Sequence, residues 1–124
     1  METDDVNKDK VIDLLQLAHS ALRNGGFLIL RVINADNPMF GRFFYHDFTH
    51  ETPFTSDSLW QCLSVTGFES IKLGYEIIPS RSDKLNLIAC LKQIIRQSGL
   101  WILGKFLGIP PQAFTEDLIA VAKR

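Results

Sequence analysis

The sequence predicts an α/β fold with a three-stranded mixed sheet and flanking helices. Two observations carry that prediction. Helical and strand-like signatures alternate along the chain, which argues for layers of helix packed on sheet. The strand-like segments also differ in pattern: residues 27–33 are continuously apolar, whereas residues 69–78 alternate between apolar and polar. A continuous run reads as a central parallel strand covered on both faces, and strict alternation as a strand with one wet face.

Residues 6–23 form the first element. Val11, Leu14, Leu15, Ala18 and Leu22 fall at helical spacing, with Asp13, Gln16 and Arg23 elsewhere on the wheel. Asn24-Gly25-Gly26 is the expected stop, because glycine closes a helix without a Cβ clash. The apolar strand follows, Phe27 to Ile33, and Asn34 through Pro38 breaks it. Met39 to Phe54 reads as a long ordered loop holding Phe40, Phe43, Phe44, Tyr45, Phe48 and Phe54 with His46 and His50. Thr55 or Ser56 caps a helix reaching about Thr66, and Gly67 stops it. In the strand at 69–78, Ile71, Leu73, Tyr75 and Ile77 share one face. Residues 83–107 are helical in character with an expected break at Ser98-Gly99, Pro110-Pro111 forces a turn, and residues 118–122 form a short buried strand. The last two strands, joined through a helical insertion, are free to pair antiparallel.

Composition excludes several classes. The 124 residues suit one domain, and 46% hydrophobic with 22% charged content is ordinary for a globular chain. Thirteen Lys and Arg against 14 Asp and Glu give a net charge of -1, so no nucleic-acid partner is expected. Cys62 and Cys90 make no disulfide framework and no CxxC pair. That points to a reducing, cytoplasmic setting. Met1-Glu2-Thr3-Asp4-Asp5 is acidic where a secretory signal is basic.

The run "ALRNGG", then "FLILRVINA", then "YHDFTHETPFTSDSLWQCLSVTGFESIKL" resembles the C-terminal half of a class I S-adenosylmethionine (SAM)-dependent methyltransferase of the small-molecule or glycan-modifying type. The elements that carry the likeness are Asp47-Phe48-Thr49-His50, Gly67-Phe68 and the closing "EDLIAVAKR". The resemblance covers nearly the whole chain. It implies an incomplete Rossmann-like half, starting just after the family's fourth strand, whose intact parent methylates a small-molecule or sugar acceptor. It also implies that residues 27–33 present an apolar edge, which a complementary N-terminal half or a second copy would cover.

The same resemblance places the loop after residues 27–33 at the carboxyl end of the sheet, where open α/β folds bind ligands. His50 and His46 are then the candidate catalytic residues, because a hydroxyl acceptor must lose a proton and histidine titrates near neutrality. Asn34, Tyr45, Asp47 and Thr49 are the candidate acceptor-binding residues. The structural alternative is that Asp47 and Thr49 cap backbone groups and His50 fixes the loop by hydrogen bonding. A metal site at His46 and His50 is not expected, since the glutamate is misplaced for an H-E-x-x-H motif and no third ligand is apparent. No cofactor-binding residue is expected in this chain. Gly25-Gly26, its only adjacent glycines, lead from helix to strand, the reverse of a ligand-cradling turn. SAM therefore belongs to the intact parent or a complemented complex.

Arg31, inside an apolar strand, needs either a carboxylate partner or the open end of its strand. Residues 84–109 are strongly apolar and punctuated by Lys84, Lys92, Arg96 and Lys105. The simpler reading is a helical cover packed on the sheet; the other is an interfacial helix giving peripheral membrane contact. A non-enzymatic interaction module and a peripheral membrane adaptor thus stand beside the methyltransferase reading.

Overall fold

The computed structural model describes residues 5–75 and 87–124. In chain order it contains α1 (Lys8–Ala21), β1 (Phe27–Ile33), α2 (Phe40–Phe44), α3 (Ser56–Val65), β2 (Glu69–Tyr75), α4 (Leu87–Leu107), a 3-10 turn (Pro111–Phe114) and β3 (Asp117–Lys123). The α/β class, three strands and flanking helices agree with the sequence prediction. The expected end of the second strand at 76–78 and the expected helical start at 83–86 lie outside the described residues.

The sheet order is β1-β3-β2, and both pairings are antiparallel. The sheet is thus not mixed, and β1 is not its centre: β3 is. The continuous apolar run of β1 misleads because only one of its faces is covered. Leu30 and Val32 are buried, while Phe27 and Ile29 are exposed. Both α1 and α3 pack on the same face, where Val11, Leu15, Leu59 and Leu63 meet Leu30, Val32, Leu118, Ala120 and Ala122. The small Ala120 and Ala122 side chains let the helices lie close to the central strand.

Local chemistry fixes each end. Asn7 caps α1 by accepting the Asp9 N–H at 3.1 Å. The helix stops at Ala21, four residues before the first of the glycines expected to end it. Those glycines shape the following turn, in which the Gly26 N–H donates to the Arg23 carbonyl at 2.8 Å and Gly25 adopts φ +79°. The Arg124 guanidinium donates to the carbonyls of Ser20 and Leu22, supplying a cation to the negative end of α1. Thr55 and Ser58 form a reciprocal capping box on α3, at 3.2 and 2.9 Å. Gly67, at φ +92°, closes that helix as expected.

The loop expected over 39–54 contains the short helix α2. The expected break at Ser98-Gly99 is absent, and α4 runs through it. Nor, among the described residues, does α4 lie across the sheet as a cover. It leans on the 3-10 turn through Gly104, where a Cβ would meet the Ile109 carbonyl at 2.7 Å and Phe114 at 3.2 Å.

Truncating Leu63, which is 0% exposed, to alanine should lower unfolding free energy by about 2–5 kcal/mol. Val65→Ala, at a position 76% exposed on the same helix, should stay within about 0.5 kcal/mol. Urea melts of the two variants check the assignment of faces.

Candidate functional site

The segment after β1 leaves the sheet and returns to the same place. Asn34 and Phe54 form a parallel bridge, and the Ala35 N–H donates to the Phe54 carbonyl at 2.9 Å. The Asp36 carboxylate accepts the Ser56 N–H at 2.8 Å, tying the loop to the start of α3. Thr52 anchors it further by donating its hydroxyl to the Val6 carbonyl at 2.7 Å. Within this closed neck the aromatics gather around the buried Phe44. Tyr45 meets it edge-on at 5.2 Å, and Phe40 and His50 lie at 6.4 and 5.6 Å.

The candidate residues separate into two groups. Asn34 is fully buried: its amide donates to the carbonyls of Ala113 and Thr115 at 2.9 and 3.1 Å, and its oxygen accepts the Asp36 N–H at 3.0 Å. It locks the loop neck to the turn before β3. His50 places Nδ1 3.0 Å from the Phe44 carbonyl and Nε2 3.7 Å from the Asp5 carboxylate, a loop-fixing position. Asp47 accepts both the backbone N–H and the hydroxyl of Thr49, at 2.9 and 2.8 Å. Those two bonds hold its carboxyl below the ordinary value of 3.8, with His50 and His46 adding to the effect. Tyr45 is exposed.

Of the candidates, His46 lines a cleft on the described surface. The cleft measures about 360 Å³ and is walled by Arg31, Ile33, Arg42, Phe43, His46, Glu116 and Asp117. It opens at the carboxyl end of β1, beside the start of β3. Arg31 resolves as both sequence alternatives together: it sits near the strand end and donates through Nε and Nη2 to Asp117 Oδ2, at 3.0 and 2.5 Å. Arg42, Phe43, Glu116 and Asp117 were not singled out from sequence. The unusual Arg31 was their only signal, because the pairing that brings β3 alongside β1 spans 86 positions.

His46 and His50 do not share a helical face, since α2 ends at Phe44. Among the described residues no cluster of three His, Cys, Asp or Glu side chains gathers for a metal. Burial pushes the Cys62 thiol up, so it is a neutral packing group at pH 7. A methyl-donor cradle fits poorly at the adjacent glycines. The Gly25 N–H is committed to the Arg124 carbonyl at 3.0 Å and the Gly26 N–H to Arg23.

No protein-family model and no curated protein matches the sequence. Solved structures do: the chain superposes on a SAM-dependent methyltransferase from Archaeoglobus fulgidus with a TM-score of 0.66 and 17% identity. The fold is methyltransferase-like. The match covers 98% of this chain and 55% of that one, so the chain spans about half the length of the solved methyltransferase.

Asn34→Ala should destabilise the chain by about 1–3 kcal/mol, because it deletes the hydrogen bonds to the Asp36 N–H and to the Ala113 and Thr115 carbonyls; a chemical melt measures it. A depressed carboxyl such as Asp47 binds fewer protons folded than unfolded. Its contribution is therefore present above the ordinary 3.8 and lost as pH falls through the lower folded value. Thr49→Val should move the Asp47 titration upward in an NMR pH series and flatten the acid limb of stability.

Proposed function

We propose that this chain is the acceptor-side half of a SAM-dependent methyltransferase acting on a hydroxylated small molecule or sugar. In this reading methyl transfer requires a complementary half that carries the donor cradle. The observation that carries it is the placement of the cleft. A half-sheet with methyltransferase-like topology bears, at the carboxyl end of β1, a histidine beside two arginines and two carboxylates. That position is where open α/β sheets bind ligands.

The chemistry asked of these residues is modest. Phe43 offers a flat apolar surface for a ring, and Arg42 and Glu116 offer a donor and an acceptor to its hydroxyls. Arg31 keeps the Asp117 carboxylate oriented toward the same space. His46 takes the proton from the hydroxyl to be methylated, while alignment of the acceptor supplies much of the rate. Asn34, Asp47, Thr49 and His50 hold the loop that presents His46, and Tyr45 borders it. In this reading SAM is supplied by the complemented complex, since the Gly25 and Gly26 N–H groups are committed within the chain.

The complementary half would cover residues 27–33 and the sheet face opposite α1 and α3. On that face Phe27 is exposed and Ile119 and Val121 are half-buried. The second reading is a non-enzymatic module that docks a partner through the same face. It is favoured by the commitment of the Gly25 and Gly26 N–H groups within the chain.

Calorimetry with SAM should show no saturable heat with the chain alone. Saturable binding should appear once the chain is combined with a polypeptide carrying a glycine-rich strand-turn-helix. Saturable binding to the chain alone overturns the need for complementation. In the complemented enzyme, His46→Gln should lower kcat by about 10²–10⁴-fold with an unchanged melting temperature. His50→Ala should instead lower the melting temperature. A fully active His46→Gln variant removes His46 as the proton acceptor, and a complemented complex that binds no SAM leaves the docking module.

A further inference from the structure

α4 is poorly accounted for by the methyl-transfer reading, and its surface has a pattern of its own. Among the described residues, the helix meets Ile109 and Phe114 at the buried Gly104. At about 100° per residue, Leu91, Ile95, Ile102 and Phe106 all lie within roughly 40° of the opposite side. All four are exposed, Phe106 at 89%. Ile94 and Trp101 lie beyond Lys105, at roughly 80° and 60° from Gly104, and are exposed as well. The face turned outward is thus the greasy one, the reverse of a helix that covers a core.

Charge singles out the occupant. Between Lys84 and Thr115 the sequence has four cations, Lys84, Lys92, Arg96 and Lys105, and none of the chain's 14 carboxylates. Lys92 and Lys105 flank the apolar face on opposite sides, and both are exposed. Lys105 places its ammonium 4.3 Å from the centre of the Trp101 ring. An aliphatic stem along an apolar surface with its cation at the border is how lysine sits at a lipid headgroup, and Trp favours the same level. Two copies of α4 set face to face would oppose cation to cation with no carboxylate to neutralise either. At 21 residues α4 is about 30 Å long, yet among the described residues no helix is apolar enough to cross a membrane. A helix of this kind lies in the plane of the surface.

We propose that α4 docks the chain on an anionic lipid surface, with Leu91, Ile95, Ile102 and Phe106 inserted and Lys92 and Lys105 among the headgroups. This rests on α4 alone and holds whether or not the chain takes part in methyl transfer. Co-sedimentation with phosphatidylcholine vesicles containing phosphatidylglycerol should pellet the chain, and pure phosphatidylcholine vesicles should leave it in the supernatant. Added salt should reverse the binding. In a Trp60→Phe background, Trp101 emission should shift to the blue on binding. Lys92→Gln and Lys105→Gln should each weaken binding about fivefold. Ile95→Asp combined with Ile102→Asp should abolish binding with the melting temperature unchanged, because both side chains face solvent in the free protein. Equal recovery in the supernatant with and without anionic vesicles overturns the proposal. So does sedimentation velocity showing a dimer that the double aspartate variant dissolves, which makes a second copy the occupant, or vesicle binding that this variant leaves intact.

Discussion

Everything in this fold hangs on the antiparallel pairing of β3 with both of its neighbours. Among the described residues β3 alone is bonded on two sides, and its inward residues Leu118, Ala120 and Ala122 form the floor on which α1 and α3 rest. The same strand delivers the chemistry at its two ends. At its start, Asp117 meets Arg31 and the Glu116 carbonyl accepts the Asn34 N–H at 2.9 Å. Just past its end, Arg124 caps α1. A shift of one residue in its register would turn the alanines outward and separate Asp117 from Arg31 together.

The loop between β1 and α3 is ordered for a second reason, its neck. A chain that leaves and re-enters at the Asn34–Phe54 bridge closes a compact excursion, and its ends need no further support from the sheet. Phe44 gives that excursion a small core of its own, against which Tyr45, Phe40 and His50 pack. The consequence is a division of labour among polar groups of similar appearance. Asn34, Asp47 and His50 spend their hydrogen-bonding capacity on backbone and near neighbours, whereas His46 stands at a cleft wall.

Local signals were legible in the sequence wherever one short-range force decides the outcome. The Thr55 cap, the Gly67 stop and the alternation of Ile71, Leu73 and Tyr75 each depend on residues within a few positions. Errors arose where a local pattern has two physical causes. An apolar run such as Phe27 to Ile33 arises from burial on both faces or, as here, from one buried face and one left uncovered. Glycine at position 99 weakens a helix by about 1 kcal/mol without forbidding it, and α4 continues. Gly25 serves a turn rather than a helix end, though both uses draw on the same positive φ. For the candidate site, the sequence reading named the loop and His46 but not the cleft walls at Glu116 and Asp117, because register between distant strands leaves no local trace.

The long separation between β1 and its partner also governs how the molecule is made. Phe27 through Ile33 cannot join the sheet until a strand beginning at Asp117 is available, and all of α4 lies between them. Non-local topologies of this kind fold slowly, since loop-closure entropy must be overcome before pairing compensates for it. During that interval a strongly apolar strand and a strongly apolar helix coexist without their final neighbours, the circumstance in which chains stick to one another. Recovery of native material from denaturant is therefore governed by a race between sheet closure and aggregation, and dilution favours closure.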